Sequence, residues 1–401
     1  MVQNTLRAGT IAICTLLGCT TDMGIEPATN AGYGNIVVWE KNGFNARVYL
    51  DYRPTDLLTP VTLENVPAGN HTVHLFYENY ASVSGQKVLA VMTKANSEAE
   101  FELQKSPSGE LTVETDPSGA MVTLNNVDFG VSPLSIKGLP SGTYTVGARL
   151  GNYRANDVSV AVSPTADPQP RLSLKLSRSV VIEYFSNTNC AGCPAADAAV
   201  QHLLEQLPQY KDQIFKLSYH VGFPNQNDPF YLAAKDDQNA RMTLYNVLSA
   251  PAIYCNGVAI KYSNETAFIT EVKKRIEALV HDTAVTAELV FKDVSTDALK
   301  VSGTIVVKGN SADTRIFVAL VGDFIGYDTP LGTNEQRLFH AIFKGFAEGA
   351  NSVSVFGAEM EFPFYIKLPS SNPSNEYSLI AFLQDAKINE ILQSQRISIP
   401  R

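Results

Sequence analysis

Residues 35–177 are a tandem duplication, and this bounds the fold of the first half of the chain. Pro60, Pro67, Gly69, Asn79 and Tyr80 recur 73 residues on as Pro133, Pro140, Gly142, Asn152 and Tyr153. Upstream, the run from Ala46 to Leu50 matches Ala120 to Leu124 at an offset of 74, so one residue was gained or lost between. Matched prolines and glycines mean matched turns, and Pro67-Ala68-Gly69 suits a tight one. Between the turns apolar and polar residues alternate, as at Val48, Leu50 and Val73, Leu75, with no competing helical period. The duplication predicts two small all-β sandwich repeats, residues 35–105 and 109–177. Neither holds a cysteine. Their two histidines, His71 and His74, lie three apart on one strand and so face opposite sides. A shared metal is not expected, and both repeats read as spacers or binding units.

The second copy contains Asp116-Pro117-Ser118-Gly119-Ala120, which resembles the signature of the PEGA domain. The first copy has Lys41-Asn42-Gly43-Phe44-Asn45-Ala46 there and lacks the proline. The resemblance implies surface modules without catalysis.

The N-terminus addresses the compartment. Arg7 precedes a short apolar run, Ala8 to Gly18, too short for a bilayer and suited to a secretory signal. It ends Leu16-Leu17-Gly18-Cys19, which resembles the lipobox of bacterial lipoproteins. That resemblance implies a signal peptide at 1–18, acylation of Cys19 and a tether at 19–34. Cleavage would remove Arg7 and no acid, leaving 30 cations against 40 anions, a net charge of −10. The whole chain carries −9, with no basic block, which argues against nucleic acid and anionic lipid surfaces as partners. The membrane is expected to be met through the N-terminal lipid alone. Of five cysteines, Cys14 leaves with the signal and Cys19 takes lipid. Cys190, Cys193 and Cys255 remain, a close pair and a single thiol rather than a disulfide framework.

The pair carries the chemistry. Ser179–Phe185 is mostly apolar, as a strand buried on both faces would be. It leads into Asn189-Cys190-Ala191-Gly192-Cys193-Pro194. A helix follows, with Ala196, Val200, Leu203 and Leu207 on one face, and Pro194 suits only its first turn. Thiols at a helix N-terminus are stabilised as thiolates. Cys190 is therefore expected as the exposed nucleophile and Cys193 as the buried resolving thiol. Downstream come a strand at Ile214–Val221 and a helix capped at Asp228 and running to about Leu248. Ala250-Pro251 then precedes a hairpin turning at Asn256-Gly257, and an amphipathic helix closes at Asn264–Val280. This order resembles thioredoxin over residues 178–281, which implies a cis proline, Pro251, beside the cysteines.

There are departures from that pattern. The dipeptide is Ala-Gly, Asn189 replaces a tryptophan, and Glu183 lies one residue farther from the first cysteine than the family's buried carboxylate. Glu183 reads either as the proton acceptor for Cys193 or as a strand glutamate facing solvent. His220, at a strand's carboxyl end, reads either as a neighbour of Cys190 that favours its thiolate or as a histidine closing a loop by hydrogen bonds. A zinc site of Cys190, Cys193, His220 and Cys255 is disfavoured. Cys255 lies four strand residues past Pro251, ~13 Å away, and Zn–S bonds are ~2.3 Å. No cofactor or metal is expected, and Cys255 reads as a packed small hydrophobe.

From residue 283 seven short alternating runs suggest an immunoglobulin-like β-sandwich through residue 401, within which His340 reads as a packed or edge-strand histidine. With Leu392-Gln393 near its end, the second half resembles a family of outer-membrane lipoproteins in which a thioredoxin-like domain precedes a β-sandwich. Two functions fit. One is a lipid-anchored thiol–disulfide oxidoreductase of the cell envelope, acting on exported protein thiols or disulfides with a redox partner protein. The other is a non-catalytic surface binding or scaffolding lipoprotein whose Cys-x-x-Cys is a structural disulfide.

Overall fold

The computed structural model describes residues 32–282, 285–297, 299–309, 313–369 and 377–399. Cys19, with the signal and nearly all of the tether, lies outside them. The described chain is mostly β-structure with four α-helices among the described residues.

The duplication is visible in the backbone. In the first repeat a three-stranded sheet that includes Tyr33–Glu40 faces a four-stranded sheet that includes Gly69–Phe76. Ile36, Val38, Val48, Leu63 and Val73 fill the space between. In the second repeat one eight-stranded sheet wraps Leu111, Val113, Val122, Leu124 and Val146. Tyr33 pairs with Pro67 and Ser108 with Pro140, and each register slips just beyond, after Gly34 and after Gly109. A Cβ at Gly34 would run into Met92 O, and one at Gly109 into Ser163 O. The two glycines admit the same close backbone crossing. The peptides before Pro60 and Pro133 are both cis.

The next unit comprises β1 (Val180–Ser186), α1 (Cys193–Glu205), β2 (Ile214–His220), α2 (Pro229–Ala233), α3 (Lys235–Leu244), β3 (Ala252–Cys255), β4 (Val258–Ile260) and α4 (Glu265–Val280). The strand order is β4-β3-β1-β2. β1 is parallel to β2 and antiparallel to β3, and β3 is antiparallel to β4. All seven residues of β1 are buried, which explains its nearly unbroken apolar run. Ile182 and Tyr184 pack under α1 and α4 with Val200, Leu203, Phe268 and Ile276. The Asp228 carboxylate caps α2, accepting from Phe230 N and Tyr231 N. The single helix expected from Asp228 to about Leu248 is two, broken where Ala234 leaves helical geometry at φ −142° and ψ 42°.

The last seven strands are β5 (Glu288–Thr296), β6 (Lys300–Lys308), β7 (Thr314–Gly326), β8 (Leu338–Val355), β9 (Glu359–Lys367), β10 (Tyr377–Asp385) and β11 (Ile391–Ser398). They form a β-sandwich. β5-β6-β9-β8 make one layer and β7-β10-β11 the other, with the 18-residue β8 joining both. β8 also pairs with β2 at Ser218 and Ile342, so one sheet of eleven strands runs through residues 180–398. The second face of β1 and β2, with Val181, Phe185, Leu217 and Tyr219, is covered by Phe317, Phe343 and Phe382 of the sandwich.

Candidate functional site

The Cys190–Cys193 site is built on the turn between β1 and α1. Asn187 fixes that turn: its Nδ2 donates to Val221 O at 2.7 Å and Asn225 O at 2.8 Å. Its Oδ1 accepts from Asn189 N at 2.8 Å, and its carbonyl accepts from Cys190 N at 3.0 Å. Cys190 and Cys193 form a disulfide with Cα atoms 5.4 Å apart. The Ala250–Pro251 peptide is cis, and a Cβ placed on Gly192 would sit 3.6 Å from Pro251 Cδ. Pro251 therefore stands against Gly192, which lies between the two cysteines in the chain.

Cys190 is not the exposed atom expected from the sequence. It is 5% exposed, Cys193 is 0% exposed, and both belong to the apolar core beneath α1. A loop of the sandwich also packs against the turn before Cys190. Between β7 and β8, Asn334 donates from N to Thr188 O and from Nδ2 to Asn187 O, each at 3.2 Å. At Gly332 an added Cβ would collide with Thr188 O. The loop thus closes over the turn from which Cys190 emerges.

Glu183 takes neither role expected of it. It is fully buried, yet on the face of β1 opposite Ile182 and Tyr184, which pack with the cysteines. There it accepts from Arg241 Nε at 2.6 Å and from Tyr245 OH at 2.5 Å. Strand side chains alternate, so the one-residue shift along β1 moves this carboxylate to the other side of the sheet. His220 closes a loop. Its Nδ1 meets Asp228 Oδ2 at 2.7 Å, and that oxygen also accepts from Thr188 N at 2.6 Å. Burial alone would raise the Asp228 carboxyl, but His220 and the amides of Thr188 and Tyr231 hold it below its ordinary range. Cys255 is buried, and burial pushes its thiol up to about 11. Of the disfavoured zinc set, Cys190 and Cys193 are bridged to each other, His220 meets Asp228, and Cys255 is a buried free thiol. His71 and His74 also part company: His71 binds Asp51 Oδ2 at 2.7 Å, while His74 lies against Tyr52.

A buried ion pair near the bridge escaped the sequence reading. Asp197, four residues after Cys193 on α1, pairs with Lys216 of β2, and both side chains are nearly inaccessible. Gln336 Nε2 donates to Asp197 Oδ2 at 3.0 Å, and His340 stands 3.8 Å away. Burial pushes the Asp197 carboxyl up, but Lys216 and His340 outweigh it and lower it to about 2. The signal was present as two opposite charges, one inside the mostly apolar run 194–200 and one inside the mostly apolar run 214–219.

These observations define a class: tandem β-modules joined to an α/β unit that buries a cysteine bridge in its own apolar core and shares a sheet with a β-sandwich. Residues 40–105 and 108–179 match the PEGA domain, so the duplication is a pair of PEGA repeats. No curated protein matches the chain. Among solved structures, it is similar to HBP35 of Porphyromonas gingivalis at 15% identity and TM-score 0.46, covering 56% of this chain and 76% of that one. It is also similar to a domain of the outer membrane lipoprotein Omp28 from Porphyromonas gingivalis, at 18% identity and TM-score 0.20, covering 29% and 89% respectively.

Proposed function

We propose that the protein is a lipid-anchored, non-catalytic binding and scaffolding protein of the bacterial cell envelope, probed outward by its PEGA repeats, with Cys190–Cys193 as a structural disulfide. One observation carries this: the bridge is packed in the core, with Cys190 only 5% exposed. Neither of the two acids described above suits the part of a base for it. Glu183 is on the wrong face, and Asp197 is lowered to about 2 by its ion pair, far from the near-neutral value that suits proton transfer. The α/β unit is then a thioredoxin-like platform, as the order β4-β3-β1-β2 and the cis Pro251 support. Anchoring through Cys19 rests on Leu16-Leu17-Gly18-Cys19, and outer-membrane placement on the second half's resemblance to outer-membrane lipoproteins. The test is the reduction potential of the pair. A value below about −300 mV is expected, and one between about −270 and −120 mV overturns the proposal.

The second reading, a thiol–disulfide oxidoreductase acting on exported proteins, is favoured by one feature, Pro251 against Gly192. In it, reduced Cys190 attacks a client disulfide and one client thiolate leaves. Cys193 then displaces the second client sulfur, and a dithiol redox partner re-reduces the pair. Its test is insulin reduction with a donor supplied, lost in Cys190→Ser and kept in Cys255→Ser. A silent wild type refutes it.

A further inference from the structure

Where the second PEGA repeat meets the α/β unit, a cleft of about 740 Å³ opens, between residues 125–177 on one side and the ends of the 209–210 and 280–282 segments on the other. Its volume falls in the ~300–1,000 Å³ range of small-molecule sites, which favour such boundaries between units. We propose that this cleft binds a short, uncharged oligosaccharide. The inference deepens the scaffolding reading and rests on it.

The lining selects the ligand. Only Ala155, Leu176 and Val280 are aliphatic, so an apolar ligand finds little to bury against. Four residues with side-chain amides, Asn125, Asn126, Asn156 and Gln209, line the space from both sides, with Asn125 Oδ1 already accepting from Thr145 N. A sugar hydroxyl donates and accepts at one atom. An amide offers a donor end and an acceptor end at fixed spacing, so arrays of the two satisfy one another. The charges balance: Arg154 and Lys175 line the cleft against Asp157 and Asp282. Arg154 pairs with Asp157 at 3.5 Å, and Asp282 lies 3.7 Å from Arg178. A polyanion or a cation would find no net countercharge there.

The floor is held rigid before any ligand arrives. The Arg154 guanidinium lies 5.1 Å from the Tyr210 ring centre and donates to Gln209 O and to Gln213 Oε1. The Tyr210 hydroxyl meets His281 Nε2 at 3.0 Å. Ordering these side chains in advance lowers the entropy lost on binding.

Calorimetric titration of the full-length chain in detergent tests this, with maltotriose, cellotriose, chitotriose and mannotriose as neutral probes and trigalacturonate as the acidic one. Saturable binding of at least one neutral trisaccharide is expected. It should weaken about tenfold in Asn156→Ala/Lys175→Ala, two exposed positions, with the melting temperature unchanged. No binding of any neutral probe at millimolar concentration overturns the proposal, as does undiminished binding in the double variant or binding of trigalacturonate alone. The redox assays on the same preparation read the scaffolding claim separately. Exchange activity would sink that reading and leave the titration standing, whereas silent titrations with an inert bridge would sink the cleft alone.

Discussion

In β1, Glu183 belongs to the joint between the α/β unit and the sandwich rather than to the cysteines. Its partner Arg241 is completely buried, donates from Nη1 to Gln384 Oε1 at 2.6 Å, and sits over the rings of Tyr245, Phe317 and Phe382. Glu183→Leu would leave that guanidinium buried without its carboxylate. A loss of about 3–5 kcal/mol in urea unfolding is expected. The Cys190–Cys193 potential should not move, because Glu183 faces away; a shifted potential would restore it to the redox site. Lys216→Met strands Asp197 in the same way and should cost about 3–5 kcal/mol at neutral pH, with Asp197→Leu/Lys216→Met recovering much of it. The acid's folded value, about 2, lies below its ordinary 3.8. Its share of stability is therefore full above about pH 4 and is lost as pH falls toward 2. Unfolding curves between pH 6 and 2 should show a smaller fall in the double variant than in the wild type, since other lowered carboxyls such as Asp228 remain in both. The Lys and Asp were legible as charges in apolar runs. Their pairing was not, since no spacing rule links a helix position to a neighbouring strand.

The segment from β1 to α1 was the most readable part of the chain. An apolar strand, two cysteines and a proline in a helical first turn each carry a local signal. The break between α2 and α3 carries none, because Ala234 is a good helix former and only its surroundings turn it out of the helix. The burial of Cys190 was unreadable in part for a related reason: the loop that packs against its turn lies more than a hundred residues away. At this element the structural reading has a direct consequence. Removing a bridge that closes so short a loop gives back about 2 kcal/mol of chain entropy. Cys190→Ala/Cys193→Ala should thus unfold at lower urea by that amount, with the same fold by circular dichroism. Asp228→Ala acts on the same turn from the other side. It removes the α2 cap and leaves His220 Nδ1 and Thr188 N without their shared acceptor. About 1–3 kcal/mol is expected to be lost, read from the same unfolding curves.

Residues 178–281 have the length, helices and strand order of a free-standing domain, and the sequence offers no reason to doubt that they fold alone. The structure offers one. β1 and β2 are buried on both faces, but helices α1 and α4 cover only the face that carries Ile182 and Tyr184. The other face is roofed by phenylalanines of the sandwich, by Arg241 held to Gln384, and by Gln393, which accepts from Ser179 N at 3.0 Å. β2 finds its outer partner in β8 across 124 residues of sequence, at Ser218 and Ile342. Nothing local marks such a pairing, because strand periodicity announces that a face is apolar and not what will cover it. Cut after residue 282, the fragment would expose that face together with an unpaired strand edge, a combination that promotes aggregation. A fragment of residues 178–282 is accordingly expected to be insoluble or molten, without a cooperative melting transition, whereas residues 178–401 should melt cooperatively in a single step. A soluble, cooperatively folding 178–282 fragment would show that the eleven-stranded sheet is two independent parts in contact.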